Sequence, residues 1–447
     1  MKLYNSLTRT KEEFVPLDGK NVKMYACGIT PSAEAHIGHL YQALIYDIMR
    51  KFLEKEEFSV VYARNYTDVD DKIIAKSNEL NIPAQEYAEK MIENIDNEMH
   101  IFQIDEPNVW LYATKNIDNM IDFIEKLIEK GHAYPTSKGD VYFSVETFPS
   151  YGKLSGRKTD DALDGVRVEN DEEKRAPLDF ALWKSAKEGE PFWNSPWGKG
   201  RPGWHIECSV MNYVTFGDQI DIHGGGRDLL FPHHENEIAQ TESLTEKPFA
   251  KYWVHNGLIR VNGQKMSKSL GNSLLMSDLR KQFHIESVKF ALLQNSYHTD
   301  INITDTLFSD AEKHLFGFYQ ILQEATQKFG KLEGKEVSVE ENFDNAMRDD
   351  LNTAKAISYL FGIFKTAKEK IAKGDKSVLN LLNSVVNTYH LLGLFKANPD
   401  DFVSYVKEKS QVEIPPEVQK KAEERWLAKK NKDFALADKL RDEISEL

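Results

Sequence analysis

Apolar positions along the chain change period several times, and the changes divide it into regions. Val22 to Ala26 is a short apolar run that reads as a buried strand, and after a turn segment Leu40, Leu44, Ile48 and Phe52 recur at every fourth position, the stripe of a helix. Ser59 to Ala63 follows as a second strand. A strand, helix and strand within about 40 residues form the unit of a parallel sheet with a right-handed crossover. Ligands of such sheets bind beyond the C-terminal ends of the strands, which is where His36 to His39 and Thr67 to Asp71 fall.

From Ile73 to Lys130 the spacing is helical, whereas Gly131 to Lys199 alternates short strands with turns rich in Gly, Pro and Asp, and reads as an insertion. Sheet character returns at Gln219 to His223, Tyr252 to His255 and Leu258 to Val261. Asn262-Gly263 is a tight-turn signal that places Lys265 to Ser269 on an exposed loop just after a strand end. Beyond Asp305 the pattern is helical, with Leu315, Phe318, Tyr319 and Leu322 on one stripe and Leu351 to Phe364 on another, so a helical bundle is expected. Pro415-Pro416 breaks it, and Lys420 to Leu447 reads as a last charged helical segment.

At 447 residues the chain exceeds one ordinary domain. Its 41% hydrophobic and 29% charged residues suggest neither disorder nor a membrane span, and no window of about 18 apolar residues occurs. Met1 to Thr10 lacks a basic-then-apolar signal pattern, so a cytoplasmic protein is expected. The net charge of -14 argues against broad, unspecific nucleic-acid binding while leaving room for a local basic face. Two cysteines, Cys27 and Cys208, make no disulfide framework and leave both thiols for metal or chemistry.

His36 and His39 sit between a strand and a helix, where unpaired backbone N–H groups and the helix dipole meet an incoming anion, and Gly38 lets the backbone come close. The imidazoles can donate to phosphate oxygens in an in-line displacement, which needs positioning and electrostatics rather than a covalent nucleophile. Lys265 and Lys268 could swing in to neutralise the same charge. Cys27, Cys208 and the segment Phe231 to Glu237 offer two thiolates, an imidazole and a carboxylate, a zinc-like set. Spacing leaves the histidine open, because His233 and His234 both share a helical face with Glu237.

His36 to His39 and Lys265 to Ser269, in that order and that far apart, resemble the two signatures of class I aminoacyl-tRNA synthetases. Together with Cys27-Gly28, Thr67 to Lys72, Gly203 to Cys208, His223 to Gly226 and Phe231 to Glu237, they resemble the cysteinyl-tRNA synthetases over about the first 300 residues. The resemblance implies an α/β fold: a Rossmann-like parallel-sheet catalytic domain in two halves, 1–115 and 200–248, with a connective insertion at 116–199. A loop and stem-contact region at 249–305 and an all-helical tRNA-binding domain at 306–447 would follow.

It also implies the chemistry. L-cysteine would be activated by ATP, arriving with Mg2+, and passed to the 3′ end of tRNA(Cys). His36, Gly38, His39, Gly224, Gly225, Lys265 and Lys268 would contact ATP. Gly28, Thr67, Trp204 and Asp228 would surround the amino acid, and Cys27, Cys208, His233 and Glu237 would hold one zinc ion that takes the substrate thiolate. Asp68, Asp70 and Asp71 are expected to orient neighbours and cap the next helix. Bacterial members commonly read His-Ile-Gly-Asn where this chain reads His36 to His39, a variant that also resembles a cysteine ligase acting on a small-molecule amine such as an amino sugar. Ala422 to Ile444, with its many Lys and Arg, resembles the family's stem-contacting helical region, which in the family continues past the equivalent of Leu447. No obligate protein partner is readable.

Overall fold

The computed structural model describes residues 1–157, 173–265, 274–410, 416–430 and 433–445. An N-terminal hairpin, β1 (Lys2–Asn5) and β2 (Thr10–Glu13), leads into β3 (Asn21–Ile29), α1 (Ile37–Lys55) and β4 (Ser59–Tyr66). The expected helical stripe is real: Leu40, Leu44, Ile48 and Phe52 are all buried against the sheet. Next come α2 (Asp71–Leu80), α3 (Ala84–Ile101), β5 (Val109–Tyr112) and α4 (Ile117–Glu129). β5 falls inside the stretch expected to be helical throughout. Its four half-buried residues are too few to show a period, and pairing to β4 decides their conformation.

Five strands of an inserted antiparallel sheet follow, β6 (Ala133–Pro135), β7 (Val141–Phe143), β8 (Phe180–Ser185), β9 (Trp193–Ser195) and β10 (Gly198–Pro202). The chain then returns through α5 (Trp204–Phe216), β11 (Ile220–Gly226), α6 (Glu235–Thr245) and β12 (Ala250–Asn256). The central sheet is parallel, in the order β12-β11-β3-β4-β5. After β3 the chain builds outward on one side, and β11 and β12 are added on the other. The order therefore reverses beside β3, leaving a crevice at the C-terminal ends of β3 and β11.

A smaller sheet joins β13 (Ile259–Val261), β14 (Gln264–Lys265) and β15 (Ile301–Ile303), with α7 (Met276–Gln282) and α8 (Ile285–Leu293) between them. Asn262 and Gly263 both have positive φ, 47° and 81°, the backbone a two-residue hairpin turn requires. Lys265 is thus the end of a strand, paired with Arg260, rather than part of a loop. Helices α9 (Leu307–Phe329), α10 (Val337–Arg348), α11 (Thr353–Ala372), α12 (Val378–Tyr389) and α13 (Pro399–Ser410) form the bundle. The last charged segment is two helices, α14 (Pro416–Lys430) and α15 (Phe434–Ser445).

One apolar core runs from Leu3 and the α1 stripe through α8 into the bundle. At this joint Glu286, 1% exposed, accepts hydrogen bonds from the Tyr319 hydroxyl (2.8 Å) and from the backbone N–H groups of Phe395, Lys396 and Ala397 (2.8, 2.9 and 2.8 Å). One turn along α8, Lys289 is buried, and among the described residues its ammonium has no hydrogen-bond partner. Among the described residues no helix is long and apolar enough to cross a membrane.

Candidate active site

A cavity of about 720 Å³, lined among others by Gly28, His36, Gly38, His39, Gly226 and Asp228, opens at the crevice. This is within the usual range of small-molecule sites, about 300–1,000 Å³. His36 caps α1: its Nδ1 accepts the Gly38 N–H at 3.2 Å, while the His39 Nδ1 accepts the His36 N–H at 3.4 Å. The two rings stack with centroids 3.6 Å apart. An imidazole that accepts at Nδ1 carries its proton on Nε2, so the fold selects the donor tautomer of both rings.

Lys265 ends β14, and Met266 to Ser273, including Lys268, lie outside the described residues. The backbone on the far side of that segment is stitched to the first motif. Ile37 N–H donates to the Leu274 carbonyl at 2.9 Å and Met276 N–H to the Ala35 carbonyl at 3.0 Å. The first motif is therefore joined by backbone hydrogen bonds to Leu274 and Met276, more than 200 positions away in sequence.

Gly28 admits no side chain, because a Cβ there would lie 1.5 Å from the Asn65 carbonyl oxygen. Asn65 organises this end of the site: its Oδ1 accepts from the Tyr25 hydroxyl (2.9 Å) and the Gly28 N–H (2.8 Å), and its Nδ2 donates to Thr67 Oγ1 (3.3 Å). Thr67 is buried. Trp204 is exposed, stacked on the His233 ring at 4.5 Å between centroids. Gly224 and Gly225 are closely packed on their Cβ side. Both lie within β11, and added Cβ atoms would meet the Tyr46 ring at 2.4 Å and His234 at 3.0 Å. Gly226, at the end of the same strand, lines the cavity. Asp70 caps α2 as expected, accepting the Lys72 N–H at 2.8 Å, and Asp68 accepts the Thr114 N–H at 2.9 Å.

Immediately behind Gly28, Cys27 meets residues from two other elements. Its Sγ is 3.6 Å from Cys208 Sγ on α5 and 3.4 Å from Glu237 Oε1 on α6. His233, on a wide helical turn before α6, places Nε2 at 3.0 Å from Glu237 Oε1. Cys27, Cys208, His233 and Glu237 are all buried, with their donor atoms within 4.8 Å of one another. A second group, Cys27, His223, His234 and Glu237, meets the same limit. His223 Nε2 lies 2.7 Å from Glu237 Oε2, and His234 Nε2 lies 3.2 Å from Cys27 Sγ.

Burial alone would raise the Glu237 carboxyl, but His223 and His233 beside it hold it well below its usual range. Burial opposes charge on His233 too, yet Glu237 and Cys208 push it up to about 10. A hydrogen bond from Cys27 brings Cys208 down to about 6, while burial and the adjacent Cys208 push Cys27 well up. The protein thus encloses a carboxylate and a thiolate with sulfur and nitrogen neighbours, a donor set suited to a borderline-soft divalent ion. Those four residues fit a zinc site.

A model of the class I (C) tRNA synthetase catalytic domain matches residues 13–313, and a DALR domain model matches 342–396. The cysteine–tRNA ligase of Maridesulfovibrio salexigens is 41% identical across 100% of this chain and 97% of its own length. That of Geobacter sulfurreducens is 42% identical across 100% and 96%. The chain belongs to the cysteine–tRNA ligases. Solved structures show the same fold at low identity. The Mycobacterium tuberculosis methionyl-tRNA synthetase bound to methionyl-adenylate superposes with a TM-score of 0.61 at 13% identity, covering 83% of this chain and 89% of that one. An Agrobacterium radiobacter LeuRS superposes at 0.63 and 11% identity, covering 90% and 86%.

Asn65 is a neighbour of the site that sequence reasoning missed, and His223 and Glu207, though inside segments that carry the resemblance, were given no role. Each is a polar residue fully enclosed beside a proposed ligand or substrate contact. The available signal was a polar residue interrupting an otherwise apolar strand, as Asn65 does in β4.

Proposed function

We propose that this chain activates L-cysteine with ATP and Mg2+ and transfers the cysteinyl group to the 3′ end of tRNA(Cys), as a cytoplasmic enzyme. The observation that carries the reading is the buried cluster of two cysteines, a histidine and a glutamate directly behind Gly28, which itself lines a cavity together with His36 and His39. A carboxylate oxygen of cysteine attacks the α-phosphorus of ATP. A new P–O bond forms, the bond to the bridging oxygen breaks, and pyrophosphate leaves with the electron pair. His36 and His39 donate from Nε2 to phosphate oxygens at the positive end of α1, where Gly38 admits the phosphate close to the backbone. Lys265 and Lys268 add positive charge to the same oxygens.

Asp228 takes the substrate ammonium, and Gly28, Thr67 and Trp204 shape the amino-acid end. Cys27, Cys208, His233 and Glu237 would hold zinc, which supplies a soft site for a thiolate that the hydroxyl of serine cannot match. The DALR match over 342–396 and the tRNA ligases among the relatives support tRNA as acceptor.

The test is exchange of labelled pyrophosphate into ATP in the presence of cysteine or serine, followed by separate offers of tRNA and small amines. Cysteine-dependent exchange and labelled tRNA are expected. Absence of exchange overturns the reading, and capture by an amine without labelling of tRNA overturns the acceptor.

A further inference from the structure

We propose that Lys72 and Lys76 of α2 grip the β- and γ-phosphates of ATP and carry the charge of the departing pyrophosphate. The inference rests on the cavity being the ATP site. The two lysines are four positions apart, so they share a face of α2, with the small Ala75 between them. Ile73, Ile74 and Ser77 take the buried face, which turns the lysine face outward, and Lys72, Ala75 and Lys76 line the same cavity as His36 and His39.

Among the described residues lining that cavity, these two are the only lysine or arginine side chains. In a chain of net charge -14 they are no background effect. The Lys72 ammonium has no ion pair or hydrogen bond among the described residues. Lys76 pairs only with Glu79, at 2.6 Å, with both side chains more than half exposed, and such a pair costs little to exchange for a phosphate.

The helix that carries them is fixed at its start. Asp70 holds the Lys72 N–H, and the Asp71 carboxylate is taken by Arg201 of β10, which is nearly buried and also holds Glu190 at 3.2 Å. Arg201 is therefore a positioning residue that ties α2 to the inserted sheet. The chemistry needs cations there. When the carboxylate oxygen bonds to the α-phosphorus, the electron pair of the breaking bond passes to the bridging oxygen and adds negative charge to the diphosphate, and the histidines of α1 enter as neutral donors. An RNA backbone is the less suitable ligand for this face, because Asp70, Asp71 and Glu79 stand beside the lysines and repel a long polyanion.

The experiment compares wild type with Lys72→Ala, Lys76→Ala, the double variant and Lys247→Ala, a surface control paired with Asp218. Pyrophosphate exchange, the affinities for ATP, AMP and inorganic pyrophosphate, and single-turnover transfer from preformed cysteinyl-adenylate to tRNA are measured. The double variant should lose about 100-fold in exchange and weaken for ATP and pyrophosphate, with AMP affinity and transfer unchanged. Arginine at both positions should restore part of the exchange, and Lys247→Ala should match wild type. Unchanged exchange, equal weakening for AMP and ATP, or a defect confined to transfer would each overturn the proposal, the last pointing to the RNA end instead. Failure of wild type to exchange with cysteine would overturn the reading of the site itself, and so is distinguishable.

Discussion

Two enclosed glutamates are stabilised in opposite ways. Glu286, at the joint between α8 and the bundle, receives a tyrosine hydroxyl and three backbone N–H groups. None of these donors titrates near neutrality, so the carboxylate is a fixture of the fold. Glu237 is surrounded by His223, His233 and Cys27, each able to gain or lose a proton. A carboxylate among dipoles holds helices together, whereas one among imidazoles and thiols forms a charge balance that a bound cation can reset. The lesson is that burial marks a charge as important, and the chemistry of its partners tells whether the importance is architectural or functional.

The strongest way to break this contrast is Glu286→Ala, which would orphan four enclosed donors. A loss of about 4 kcal/mol in unfolding free energy is expected, read by denaturant titration, with the zinc content of whatever folds unchanged. A small loss, or lost zinc, would dissolve the distinction. Cys208→Ser is the converse: zinc in the purified protein should disappear and cysteine-dependent exchange should fall by more than about 100-fold, while stability moves by less than about 2 kcal/mol. Retained zinc with normal activity would refute the proposed ligand set.

Lys289, the neighbour of Glu286 on α8, sharpens the contrast through pH. Burial holds its ammonium down to about 8 from an ordinary 10.5. Below pH 8 the folded chain bears the full cost of enclosing that charge. Between 8 and 10.5 the folded chain has released a proton that the unfolded chain still binds, so stability rises with pH across the window. Lys289→Met should gain about 2 kcal/mol at neutral pH and flatten the rise, measured as the difference between variant and wild-type denaturation curves. The smallest effect is expected where both partners are near the surface. Lys421→Ala breaks the 3.0 Å pair with Glu443 between α14 and α15 and should cost less than about 1 kcal/mol.

What could be read in the sequence follows the same division. The β3, α1 and β4 unit was legible because apolar side chains recur with the period of the element they bury, and the Asn262-Gly263 hairpin because its backbone needs two positive φ angles. The proposed ligand set came through resemblance, whereas spacing left His233 and His234 unresolved. The structure shows why: both approach Glu237, at 3.0 and 3.9 Å, from the turn that precedes α6. Asn65 and Glu286 were not legible, and neither was the role of His223. Periodicity reports where apolar groups go, and these residues are enclosed for hydrogen bonds made with residues distant in sequence. The stitch between Ala35 to Ile37 and Leu274 to Met276 was invisible for a related reason, since it uses backbone groups that every sequence possesses.

Cys27 and Cys208 are the only two cysteines in the chain, and both are committed to one enclosed cluster. No thiol elsewhere competes for a labelling reagent. Thiol titration therefore becomes an occupancy gauge: a chelator that empties the cluster should raise both reactivities together, and added metal should protect both together. The two thiols would thus report on the proposed zinc, readable without substrate, nucleotide or RNA.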